Sequence, residues 1–110
     1  ARAGQRTNDK DAYVATVGGA PISEPATDLA VALATWSSLH EQPLPPRTVV
    51  IGEVGLAGEL RPVPNLARRL SEAARLGYES AIVPATKNLE TNLQVRQAQT
   101  LREAIELVSP

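Results

Sequence analysis

The chain has 110 residues, a formal net charge of −1, 43% hydrophobic residues and no cysteine. That length supports one small core, and the missing thiols exclude disulfides, thiolate catalysis and cysteine-ligated zinc, while His40 alone cannot build a histidine metal cluster. No apolar run approaches the roughly 20 residues that cross a bilayer, the first residues lack the order of a signal peptide, and Tyr13, Trp36 and Tyr78 are too few for a base-stacking platform, so the expectation is a cytoplasmic domain with no membrane contact.

Residues 1–11 are polar and aperiodic and read as a linker or the frayed end of a longer protein, leaving residues 12–110 as one domain. Residues 12–17 alternate as a strand that breaks at Gly18-Gly19. Ser23 is the expected cap of a first helix, with Glu24 and Pro25 in its opening turn. Ala26, Leu29, Ala30, Leu33, Trp36 and Leu39 recur at three- and four-residue steps as its buried stripe, which ends before the stiff connector Pro43-Leu44-Pro45-Pro46. Residues 48–54 and 59–63 read as strands of a β-hairpin around Gly55-Leu56-Ala57-Gly58. A second helix, capped by Asn65 and ended by Gly77, buries Leu66, Leu70, Ala73 and Ala74. Residues 80–83 form a short buried strand closed by Pro84, residues 86–93 a brief helix or turn, and residues 95–98 a last strand. Thr100 and Glu103 have the spacing of a capping box that opens a final helix through Val108. This order predicts an α/β (α+β) domain with a mixed sheet and packed helices.

Few residues carry chemistry. His40 closes the first helix beside Glu41, where an imidazole complements the helix dipole rather than serving a catalytic triad. Glu53, inside an apolar strand, reads as a buried carboxylate ion-paired with Arg61 across the hairpin. Gly18-Gly19 lacks the order of a phosphate loop, and Gly52, Gly55 and Gly58 are assigned to the hairpin. A serine-lysine dyad needs a lysine base, yet Lys10 lies in the polar tail and Lys87 in a turn. The charge arrangement says more than its sum. From Arg61 to Arg75 stand Arg61, Arg68, Arg69 and Arg75 against the single Glu72, and on the second helix Arg68, Arg69 and Arg75 fall opposite the apolar stripe. Such an exposed basic stripe is a solvated face, a subunit contact or a phosphate-binding surface.

Val17-Gly18-Gly19, Pro21, Pro25, Asp28-Leu29-Ala30, Pro45-Pro46, Gly52-Glu53-Val54-Gly55, Arg61-Pro62-Val63-Pro64, Arg68-Arg69-Leu70 and Ala81-Ile82-Val83-Pro84 together resemble the carboxy-terminal Lon-protease-like domain of the bacterial RadA (Sms) family. The match runs over residues 13–84. It implies a Lon proteolytic-domain-like fold that lacks the strand and helix with which the family's domain usually begins. By the same resemblance Ala26 stands at the nucleophilic serine, Arg69 at the catalytic lysine and Ile51 at the threonine that supports that lysine. Alanine has no heteroatom, and an arginine's guanidinium gives up no proton near neutrality, so neither nucleophile nor base remains. Ser23 and Thr27 are nearby hydroxyls, read as a helix cap and an exposed first-turn residue, and both lack a base.

What the resemblance implies is a module without catalytic residues, metal or cofactor of its own. It would hold copies of the chain in a ring, a hexamer in this family, and touch DNA phosphates through Arg61, Arg68, Arg69 and Arg75. The parent protein would be a DNA-dependent ATPase with ATP, magnesium and a zinc motif, active in DNA repair, recombination and branch migration and in contact with a recombinase filament. Two alternatives stay open: a Lon-type endopeptidase with an atypical nucleophile, and a pure oligomerisation module without DNA contact.

Overall fold

A computed structural model describes residues 24–110, so the linker over residues 1–11, the strand over residues 12–17, the Gly18-Gly19 break and the cap at Ser23 lie outside the described residues. Pro25, with φ preset by its ring, opens the 3₁₀ turn Pro25–Thr27, which runs directly into helix α1, Asp28–His40. The helix stops at Glu41, whose φ of 50° is left-handed, two residues before Pro43. Its buried face is Leu29, Ala30, Leu33 and Ser37, with Trp36 partly buried against the core. The apolar stripe expected to reach Leu39 therefore stops short, and Leu39 is 76% exposed. Ser37 takes the inner position instead, because its hydroxyl donates to Gln42 O and its carbonyl accepts from Gln42 N–H, so a buried polar group leaves no bond unmade.

The strand expected over residues 48–54 is two strands that pair differently. β1, Thr48–Val50, lies parallel to a later strand, whereas β2, Glu53–Val54, pairs antiparallel with β3, Leu60–Arg61. Gly52 stands at the break between β1 and β2 rather than within a continuous hairpin strand. Its N–H donates to Ala26 O and its carbonyl accepts from Leu29 N–H, each at 2.9 Å. The chain thus leaves the sheet to dock on the first turn of α1, supplying an acceptor for one of the amides a helix start leaves without an internal partner. A Cβ on Gly52 would meet Leu29 Cδ2 at 3.1 Å and Leu29 Cβ at 3.3 Å. The approach is open to glycine alone without a shift of the helix.

Helix α2, Leu66–Arg75, buries Leu66, Leu70 and Ala73, while Ala74, expected in the same stripe, is only partly buried because it lies at the edge of that face. Asn65 occupies its N-cap with φ 60°, yet its side chain makes no capping bond, so asparagine serves here by tolerating left-handed backbone rather than by capping. At the other end Tyr78 N–H bonds Ala73 O and Gly77 N–H bonds Ala74 O, a Schellman closure with Gly77 at φ 103°. β4, Ser80–Pro84, is the central strand of a three-stranded parallel sheet in the order β1-β4-β5, where β5 is Gln94–Ala98. Its Ala81, Ile82 and Val83 are buried on both faces, as the middle of a covered parallel sheet demands. Residues 86–93 form no helix and connect β4 to β5 through turns. Among the described residues the expected single mixed sheet is therefore two sheets, one parallel and one antiparallel.

Helix α3, Leu101–Val108, starts at the expected capping box. Thr100 Oγ1 accepts from Glu103 N–H at 3.1 Å, and Glu103 Oε1 accepts from Gln99 N–H at 2.7 Å. The core runs through Leu29 and Leu33 of α1, Val49, Ile82 and Val83 of the sheet and Leu70 of α2, all fully buried. Gly52→Ala is expected to lower stability by about 1–3 kcal/mol, the usual cost of forcing a methyl into a packed contact. The urea midpoint should fall without a change in slope.

Candidate functional site

Of the residues that the resemblance places at a catalytic centre, Ala26 and Ile51 lie on segments joined by a backbone bond, and Arg69 reaches the chain two residues before Ala26. Ala26 is 7% exposed and its carbonyl is held by Gly52 N–H, the neighbour of Ile51, itself 6% exposed. Two residues before Ala26, Glu24 Oε1 lies 2.8 Å from Arg69 Nη2 of α2, and Arg69 Nε donates to Pro64 O at 3.2 Å. The Arg69 and Glu24 side chains are 17% and 29% exposed, so this ion pair sits largely out of water and ties α2 to the chain just ahead of α1. Arg69 therefore departs from the exposed stripe expected of α2 and points back across the helix start.

Thr27, expected on the surface, is 4% exposed, and its hydroxyl donates to Glu24 O at 2.7 Å. A hydroxyl bonded in that way closes a local turn. His40 is exposed, stacks on Trp36 with ring centroids 4.9 Å apart, and places Nδ1 2.9 Å from Trp36 O. It ends α1 as its position in the sequence predicts. Among the described residues no three of His, Asp and Glu gather as a metal site would require, and no helix is long and apolar enough to cross a membrane.

The remaining arginines divide by their partners. Arg75 pairs with Glu72 one turn away on α2. Arg61 does face Glu53 in the register of the hairpin, but the contact is a loose 3.9 Å, and Glu53 is half-buried rather than enclosed. Its nearer partner is Glu59, at 3.1 Å from Nη2. Glu59 lies two residues before Arg61, hence on the same side of an extended chain, and that spacing was the available sequence signal. Arg68, exposed, makes no ion pair among the described residues. It borders an open groove of about 510 Å³ with Ser71, Thr91 and Asn92, donors suited to an oxyanion, and with Glu90 as a countervailing charge. Of the four arginines, Arg68 is thus the one that no carboxylate engages among the described residues.

Among the described residues, Glu59 is a titratable group that the fold perturbs. A hydrogen bond from its own backbone amide, followed by the Arg61 guanidinium, holds its carboxyl below the ordinary carboxylate range. The same side chain accepts from Ala57 N–H at 3.1 Å, so its charge fixes the hairpin tip.

The profile of the family described as "Subunit ChlI of Mg-chelatase" matches residues 16–87. Among curated relatives, DNA repair protein RadA of Escherichia coli K12 is 46% identical over 105 residues, which is 93% of this chain and 23% of that protein. DNA repair protein RadA of Mycolicibacterium smegmatis is 46% identical over 90% of the chain and 22% of its own length. The Salmonella typhimurium RadA reaches 54% over 74% of the chain and 18% of its own length. The chain thus spans less than a quarter of the relatives it matches.

Arg69→Ala should cost about 1–2 kcal/mol through the loss of a shielded charge-assisted pair and the carboxylate it leaves behind. Arg68→Ala should stay within about 0.5 kcal/mol, as expected for an exposed side chain without a partner. Chemical denaturation of both variants, with Glu24→Gln to close a double-mutant cycle, checks the contrast. For Glu59 the folded pKa lies below the unfolded one, so its contribution is complete above the ordinary glutamate range and fades as pH falls through the lowered value. Amide exchange at Gly55 and Ala57 should accelerate, beyond its intrinsic pH dependence, on that acid side, and Glu59→Gln should abolish the transition.

Proposed function

The chain belongs to the domain family described as subunit ChlI of Mg-chelatase and is homologous to a segment of DNA repair protein RadA, and from that premise we propose that it is a non-proteolytic, Lon-like scaffold of a RadA-type repair protein. Its task in this reading is to hold copies of the chain together and to touch DNA phosphates at one place per copy. What supports the loss of proteolysis is the fate of Arg69. A base must give up a proton and approach the nucleophile, whereas this guanidinium keeps its charge and is engaged by Glu24 and Pro64 O. Ala26, the matching position for the nucleophile, contributes a buried methyl group and a backbone acceptor.

The ion pairs reshape the DNA half of the proposal. Arg61, Arg69 and Arg75 already have carboxylate partners, which leaves Arg68 and its groove as the phosphate contact. A single guanidinium per chain binds DNA weakly, so useful affinity requires several copies acting together. A ring, hexameric in the family that the chain resembles, supplies that multiplicity. In this reading the DNA-dependent ATPase, its magnesium and nucleotide, the zinc motif, the contact with a recombinase filament and the drive for branch migration in the cytoplasm belong to the rest of such a protein. This segment has no phosphate-loop order for a nucleotide, and its described residues bring no metal ligands together.

Two measurements test the reading. In a duplex-DNA gel shift, Arg68→Ala is expected to weaken binding several-fold and to lower the slope of log affinity against log salt by about 1 for each contact removed. Binding that ignores salt would dismiss the phosphate contact and leave a module that only assembles. Casein should remain uncut at high protein concentration, and cleavage that disappears in Thr27→Ala would restore the peptidase alternative.

A further inference from the structure

The tip of the β2-β3 hairpin is rigidly built yet presents a leucine to water. Gly55 N–H bonds Glu59 O at 2.8 Å, Gly58 N–H bonds Gly55 O at 3.0 Å, and the Glu59 carboxylate reaches under the turn to Ala57 N–H and to Arg61 Nε. Only a glycine at position 55 admits that carboxylate, because a Cβ there would sit 2.0 Å from Glu59 Oε2. Leu56, at the apex, is fully exposed. A turn this constrained, ending in an unsupported leucine, gains nothing for its own chain from the apolar group and is shaped as a knob.

A matching recess lies at the opposite end of the strands. β1 runs from Thr48 through Val50 toward Gly52 and the hairpin, so the tip is beyond its carboxyl end. The recess, of about 340 Å³, opens at the amino ends of all three parallel strands, with Thr48, Ser80 and Gln94 at its lip. Pro45, Pro46 and Val95 give it an apolar lining over the buried Ile82. Its volume accommodates a leucyl side chain with part of the turn that carries it.

The charges around the two features are opposite. The tip carries Glu53 and Glu59 against Arg61. The recess has Arg96 in its wall and Arg47 beside Pro46, against Glu79. A net negative knob therefore meets a net positive hole, which favours encounter in one orientation and disfavours tip against tip.

We propose that the Leu56 tip of one copy inserts into the Pro45-Ile82-Val95 recess of the next, a head-to-tail contact between copies of this chain. The contact rests on the assembly half of the proposed function and gives it an interface. Because knob and hole are different patches, the contact is heterologous, and repetition yields a closed ring or an open chain instead of a two-fold dimer.

The chain contains no cysteine, so introduced thiols report alone. Under mild oxidation, a mixture of Leu56→Cys and Gln94→Cys chains should form a mixed disulfide dimer, and the double variant should form a ladder of longer products. Leu56→Glu should reduce the mass by light scattering to that of one chain with an unchanged far-ultraviolet spectrum, while Leu56→Met retains assembly. Assembly without the 56-to-94 cross-link overturns this interface and leaves the assembly reading standing; a monomeric parent chain removes both. Protection of Gln94→Cys from a thiol reagent in the monomeric Leu56→Glu background would mean that the chain fills the recess itself, and this too overturns the contact.

Discussion

The structure turns on the close approach of Gly52 to the start of α1. Two backbone hydrogen bonds, Gly52 N–H to Ala26 O and Leu29 N–H to Gly52 O, join the end of β1 to the helix whose Leu29, Ala30 and Leu33 lie in the core. Val54 N–H then donates to Asp28 Oδ2 at 3.2 Å, which adds a side-chain acceptor from the helix's first turn. These bonds fix where the chain leaves the parallel sheet and hence where the hairpin begins. Without them β2 would have no reason to abandon the register that Ile51 N–H, bonded to Ile82 O, still continues.

That junction is also where the resemblance locates chemistry, and this gives Arg69 its meaning. A lysine at that position could lose its proton in a dry site; a guanidinium cannot, but its planar fork suits a carboxylate and a carbonyl at once. Arg69 uses both, reaching Glu24 and Pro64 O from one side chain. The pair draws α2 toward the start of α1 at a place where Ala26 leaves little side chain to pack. In energetic terms an ion pair this shielded recovers little more than its own desolvation, so its contribution is to specify the position of α2 more than to add net stability.

Much of this was legible in the sequence where local chemistry decides it. The Thr100-Glu103 capping box, the left-handed Gly77, the proline connector and the stripe of α2 follow from short-range rules that the tertiary structure does not override. Leu39 was misplaced because three- and four-residue periodicity says which residues share a face but not where the core ends, and Thr27 because its burial rests on a hydroxyl bond to Glu24 O inside the 3₁₀ turn. The split of residues 48–54 was not readable for a different reason. β-formers run through the segment, and only contact with a helix more than twenty positions earlier in the chain makes Gly52 a docking point instead of a hairpin glycine. The Arg69-Glu24 pair is equally non-local, since nothing in either segment names the other. Both misses concern the site, and long-range partnerships are what a site consists of.

The residues that shape the neighbourhood of Ala26 have structural work that does not depend on any catalysis. Pro25 sets the 3₁₀ entry, Gly52 permits the helix to come within van der Waals contact of the strand end, and Glu24 anchors α2. A chain with a nucleophile and a lysine base would need the same backbone to present them. It follows that the glycines and prolines of such a motif are evidence for the fold alone, because the backbone can persist when the reacting groups do not. The chemistry has to be read from the side chains at positions 26 and 69. The side chains there are a buried methyl group and a guanidinium paired with Glu24 ahead of α1.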